Sequence, residues 1–93
     1  MPGVPREGRY PSPVPPLVTM YSRATCGLCD RAREVILALR DEVPFEYEEL
    51  FVDDEPELER EYGLRVPVVL VDGRERFEVE VAPAELRSVL TEA

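Results

Sequence analysis

An Asp-Gly pair at positions 72 and 73 divides "VPVVLVDGRERFEVEV", and no other stretch of the chain constrains its fold as tightly. Asp-Gly supplies the positive φ angles of a two-residue type I′ turn, so the segments on either side must pair as an antiparallel hairpin. The second arm places Phe77, Val79 and Val81 on one face and Arg76, Glu78 and Glu80 on the other. Such charges suit an edge strand that must not recruit further strands.

The stretches before the hairpin supply its neighbours. Residues 17 to 21, "LVTMY", form a short apolar run suited to a strand buried on both faces. From Cys29 onward, Ala32, Ile36, Leu39 and Val43 recur at spacings of three and four, with Leu28 and Val35 widening the stripe. Asp30, Arg31, Arg33 and Glu34 lie opposite, so a helix follows the strand directly. After Pro44, "FEYEELFV" reads as a second strand with Phe45 and Tyr47 on one face and Leu50 and Val52 on the other, its alternation slipping near Glu49. "DDEPELEREYGL" predicts a two-turn helix with Asp53 or Asp54 as N-cap, Pro56 in the first turn and Gly63 as C′. "APAELRSVLTEA" closes the chain as an amphipathic helix, with Pro83 near N1 and Leu86, Val89 and Leu90 on one stripe. The order β-α-β-α-β-β-α makes a right-handed parallel βαβ unit, then a helix, then the hairpin.

A chain of 93 residues holds one domain. Residues 1–16, "MPGVPREGRYPSPVPP", carry six of the ten prolines and are expected to be a disordered tail, leaving residues 17–93 as the domain. Eleven Arg against twenty Asp plus Glu give a net charge of −9, which repels phosphate backbones and anionic lipid. With no apolar run near the ~18 residues of a membrane span and no apolar leader, the expectation is a soluble, cytoplasmic protein that binds neither nucleic acid nor membrane. The sequence has no His, which removes every Cys-His pair, every Ser-His-Asp triad and every histidine-ligated metal.

The chemistry therefore falls to Cys26 and Cys29, the only cysteines, separated by Gly27 and Leu28. As a structural staple their disulfide would close a loop of about four residues, for which chain entropy contributes only about 2 kcal/mol. As a zinc site they supply two thiolates where four ligands are needed, so carboxylates or a second chain would have to complete it. A redox couple makes use of the placement. Cys26 lies at or just before a helix N-terminus, whose unpaired N–H groups and dipole favour a thiolate. Helix-start thiols of this kind have pKa values of about 3.5 to 7.5 instead of about 8.5. Cys26 is thus the expected nucleophile, with Arg23 adding positive charge, and Cys29, one turn on, the resolving thiol. Asp30 favours the helix start but opposes thiol ionisation.

A strand, a CxxC at a helix start, "RVPVVLVDG" opening a hairpin and a last helix together resemble the thioredoxin fold. Within it, "YSRATCGLC" is similar to the glutaredoxin pattern of Tyr, Ser or Thr, a basic residue, two more residues and CxxC. The chain is most similar to the glutaredoxin-like group of short bacterial proteins, over residues 17 to 92. The resemblance implies an α/β thioredoxin fold with a four-stranded mixed sheet, and a thiol–disulfide oxidoreductase acting on small-molecule or protein disulfides. It makes Cys26 the nucleophile, Cys29 the resolving thiol and Pro67 a cis-proline facing them; by position alone Pro67 also reads as an ordinary strand-starting proline. Val66 would offer its backbone to an extended substrate, and Thr25, just before Cys26, would join the substrate site. Tyr21 serves equally as core packing or as a substrate contact. Arg23 and Arg65 are candidates to meet a substrate carboxylate, because Arg pairs with carboxylates in a bidentate fork.

The chain departs from the family patterns at several positions. Thr25 stands where thioredoxin has Trp, Met20 replaces the buried acid, and "FEVEVAP" lacks the Gly-Gly and Asp that hold glutathione in glutaredoxins. No cofactor is required; a reducing thiol partner is, and glutathione is a candidate for it. The alternative is a non-catalytic module on the same fold that presents a metal or iron–sulfur cluster or docks a protein partner.

Overall fold

A computed structural model of the chain describes residues 15–92, so the expected tail lies outside the described residues except for Pro15 and Pro16. Among these residues the elements are β1 (Leu17–Ser22), α1 (Gly27–Leu39), β2 (Glu46–Phe51), α2 (Pro56–Tyr62), β3 (Val68–Val71), β4 (Arg74–Glu78) and α3 (Pro83–Thr91), with a 3-10 turn over Val52–Asp54. They follow the order that the patterning predicts. The sheet runs β2-β1-β3-β4, with β1 parallel to β2 and antiparallel to β3, and β3 antiparallel to β4.

With a strand on each side of β1, Val18 and Met20 are fully enclosed and Thr19 is buried, while Leu17 and Tyr21 at the ends of the apolar run are half-buried. The hairpin turns at Asp72 and Gly73, both at positive φ (51° and 85°). Asp72 also fastens the start of β1: its N–H donates to the Leu17 carbonyl at 2.8 Å, and its carboxylate accepts from the Leu17 N–H at 2.9 Å. One face of the sheet carries the core, where Val18, Met20, Val69 and Val71 meet Ala32, Ile36 and Leu39 of α1 and Leu86 and Leu90 of α3. Each large apolar side chain so enclosed contributes about 1.5–3 kcal/mol relative to exposure.

In β2, α2 and β4 the structure departs from the sequence expectations at four places. Phe45, just before β2, is buried and Tyr47 half-buried, but Leu50 stays 39% exposed and Val52 leaves the strand for the 3-10 turn. The cause is that β2 is an edge strand, and the inward position after Tyr47 belongs to Glu49. Asp53 and Asp54 lie in that 3-10 turn, so Glu55 becomes the N-cap of α2, without a side-chain cap bond.

Gly63 ends α2 at φ −55°, a right-handed conformation instead of the left-handed one of a C′ glycine. Space, not φ, demands glycine here: a Cβ would collide with the Glu59 carbonyl oxygen and come within 2.8 Å of Arg23 Nη2. Finally, β4 stops at Glu78, so Val79 does not join the face of Phe77 and Val81. Val79 has φ +72° and centres a γ-turn in which the Glu80 N–H donates to the Glu78 carbonyl at 2.7 Å. A β-branched residue held in this region costs about 1–3 kcal/mol.

Candidate active site

The dithiol sits where β1 hands the chain to α1. After Ser22 the backbone turns through Arg23, Ala24 and Thr25, and Thr25 takes a left-handed φ of 54°. That turn delivers Cys26 in an extended conformation (φ −140°, ψ 108°) as the N-cap of α1. Its carbonyl accepts from the Asp30 N–H at 3.0 Å, and its Sγ accepts from the Cys29 N–H at 3.1 Å. The sulfur thus occupies the position that a serine or aspartate oxygen takes in an ordinary N-cap, facing donors that the helix cannot satisfy itself.

Cys26 and Cys29 are joined in a disulfide, with Cα atoms 5.2 Å apart. Cys26 is partly exposed, Cys29 fully buried. Leu28, expected to widen the buried stripe, is instead 49% exposed, because one residue from Cys29 is about 100° around the helix. The arrangement gives one sulfur that an incoming group can reach and one that only its partner can reach.

The turn before Cys26 is tied down from below. The Ala24 N–H donates to Asp53 Oδ2 at 2.7 Å, while Arg23 reaches Asp53 at 3.3 Å, Glu59 at 2.7 Å and the Gly63 carbonyl at 2.8 Å. Arg65 is engaged in the same way, with Glu75 at 2.9 Å, Glu78 at 3.0 Å and the Glu61 carbonyl at 3.1 Å, its guanidinium lying 5.4 Å from the Tyr62 ring centroid. The open forks expected at Arg23 and Arg65 are therefore occupied by the chain's own carboxylates. In a sequence with nearly two acids for every arginine, both of these guanidinium groups find internal partners. Asp53 is the residue here that sequence reasoning misread as a helix cap.

On the other side of the dithiol, the register Tyr21↔Val68 sets the start of β3 beside the end of β1. Val66 and Pro67 thus lie at the same end of the sheet as Cys26. Their peptide bond is cis, Pro67 is buried, and the Pro67 carbonyl accepts from the Val79 N–H at 2.7 Å. Tyr21 stacks on Tyr62 of α2, with centroids 4.1 Å apart and planes 9° apart, so it packs the sheet against α2.

Sequence reasoning also missed a cluster around Glu49. Its carboxylate accepts from Arg33 Nε at 2.8 Å and Nη2 at 2.5 Å, from Ser22 Oγ at 2.7 Å and from Tyr47 OH at 3.1 Å. Arg33 also reaches Asp30 at 2.9 Å. Hydrogen bonds from Arg33 hold the Glu49 carboxyl below its ordinary value against the opposing effect of burial. Burial, then the Glu49 charge, pushes the Tyr47 phenol far above its own. Glu49 joins β2 to the last residue of β1 and to the second turn of α1, the two segments that hold the cysteines. Its signal in the sequence is the slip in alternation at that position.

Among the described residues, no three His, Cys, Asp or Glu side chains converge as a metal site, and no helix is long and apolar enough to cross a membrane.

Comparison with known proteins places these features. The model of the glutaredoxin-like domain family (DUF836) matches residues 17–91. An uncharacterized protein of Mycobacterium tuberculosis is 38% identical over 78 residues, covering 78% of this chain and 80% of that protein. The X-ray structure of target protein XcR50 from X. campestris is similar at a TM-score of 0.64 and 39% identity, over 82% of this chain and 97% of that one. The oxidised form of mitochondrial thioredoxin 3 from Saccharomyces cerevisiae matches at a TM-score of 0.62 and 19% identity, over 84% of this chain and 78% of that one. The four-stranded mixed sheet with its helices is a thioredoxin fold.

Proposed function

The chain belongs to the glutaredoxin-like family, and we propose from its Cys26–Cys29 geometry that it is a thiol–disulfide oxidoreductase that reduces small-molecule or protein disulfides. In the reduced form the helix start stabilises the Cys26 thiolate, which attacks one sulfur of a substrate disulfide. The substrate S–S bond breaks, one substrate thiolate leaves and takes a proton from solvent, and Cys26 is left in a mixed disulfide. Cys29 then gives up its proton and attacks Cys26 Sγ. The second substrate thiol departs, the Cys26–Cys29 disulfide forms, and two electrons have passed to the substrate. A thiol reductant, with glutathione as a candidate, returns the pair to its starting state by the reverse exchange. Thr25 precedes the reactive cysteine, Val66 and Pro67 lie at the same end of the sheet, and in this reading the Val66 backbone receives an extended substrate by strand-like pairing.

The observation that carries this reading is the division of labour between the sulfurs: Cys26 caps the helix and is reachable, whereas Cys29 is fully buried one turn on. The test is Cys29→Ser. The variant should attack disulfides through Cys26 and accumulate as a mixed disulfide, seen as added mass that dithiothreitol removes, while Cys26→Ser traps nothing. A Cys29→Ser protein that traps no adduct under conditions where wild type turns over would refute the dithiol mechanism.

A further inference from the structure

Among the described residues, three that are not glycine have positive φ: Thr25, Asp72 and Val79. Asp72 belongs to the type I′ turn, where Asp is an ordinary occupant. The other two are β-branched, the residue class for which this conformation is a genuine outlier. Both lie at the end of the sheet that carries the dithiol. Thr25 immediately precedes Cys26, and Val79 is hydrogen-bonded to Pro67.

A glycine at 79 would take φ +72° without penalty. The valine side chain must therefore return something, and core packing does not account for it. Val79 is 43% exposed and stands apart from the core that Val81, two residues on, helps to build. Its main-chain N–H is fixed to the carbonyl of Pro67, so the residue lies beside the Val66–Pro67 segment. Leu28 supplies a second exposed apolar side chain, inside the CxxC itself.

We propose that Val79 is a specificity-determining residue for the disulfide exchange, selecting substrates in which apolar residues flank the cysteine under attack. The inference rests on the oxidoreductase reading above. A substrate extended along Val66 brings the residues next to its cysteine against Val79 and Leu28, and an apolar neighbour removes both from water. A polar neighbour gains nothing from that contact, and an acidic one also meets Glu78 and Glu80, which flank Val79.

The test uses the full chain, reduced beforehand, in single-turnover reaction with two disulfide-linked peptide dimers that differ only in having Leu or Ser on both sides of the cysteine. Wild type should reduce the Leu peptide about five- to tenfold faster. Val79→Gly should bring that ratio within about twofold while its melting temperature stays the same or rises, because glycine relieves the strain. Val79→Thr, which keeps shape and branching but adds a hydroxyl, should also lower the ratio and serves if the glycine variant folds poorly. A Val79→Gly or Val79→Thr protein that keeps the wild-type ratio overturns the inference, as does a wild type that reduces both peptides at equal rates. A wild type that reduces neither peptide overturns the oxidoreductase reading itself.

Discussion

Gly63 and Gly27 show how differently two glycines of one chain can be constrained. A Cβ at Gly63 runs into the Glu59 carbonyl and the Arg23 guanidinium, so Gly63→Ala should cost about 1–3 kcal/mol in urea unfolding, as overpacking does. At Gly27 nothing stands within 4 Å of the added carbon, so Gly27→Ala should leave stability unchanged or raise it by up to about 1 kcal/mol. The paired result checks the close approach of Arg23 to the end of α2. The two cysteines divide in the same residue-specific way. In reduced protein, alkylation of Cys26 should follow an apparent pKa of about 3.5 to 7.5, and Cys29 should react much more slowly because it is buried. Equal rates at both sulfurs, with values near about 8.5, would remove the basis for assigning their roles.

At the scale of elements, Glu49 is the fastening that joins β2 to the end of β1 and to α1. Its folded-state pKa lies below the ordinary 4.5, chiefly because Arg33 hydrogen-bonds the charged form. A depressed carboxylate contributes stability that is present above its unfolded pKa and is lost as pH falls through the folded one. Glu49→Gln should therefore destabilise the protein at pH 7, by about 1–3 kcal/mol, and the gap to wild type should close as unfolding is measured below about pH 4. A gap that is constant with pH would mean that the carboxylate's charge plays no part. The hairpin, the α1 stripe and the helix-start CxxC were legible because each is a local signal, a turn dipeptide or a periodicity within about a dozen residues. The end of β2 was not, because an edge strand leaves Leu50 in water and turns a polar residue inward. Nor were the partners of Arg23, since Asp53 and Glu59 lie 30 and 36 residues away and only the folded β-α-β unit brings them together. Val79 was misplaced for a related reason: alternation continues past the point at which β4 ends.

For the molecule as a whole, the strands and helices of the described residues run from Leu17 to Thr91, the same span that the family model matches. Pro16 still belongs to the fold, since its carbonyl accepts from the Glu46 N–H at 2.8 Å. A chain beginning at Pro15 should therefore unfold within about 0.5 kcal/mol of the full one, whereas removing Pro15 and Pro16 as well should cost more. Whether Cys26 and Cys29 exchange electrons or merely staple the first turn of α1 is decided most directly by their reduction potential, measured by equilibrating the protein in glutathione buffers of graded ratio and trapping the thiols. A helix-start redox couple should equilibrate reversibly with a midpoint between about −200 and −270 mV. A midpoint below about −300 mV, the range of structural disulfides that the glutathione pool does not reduce, would contradict it.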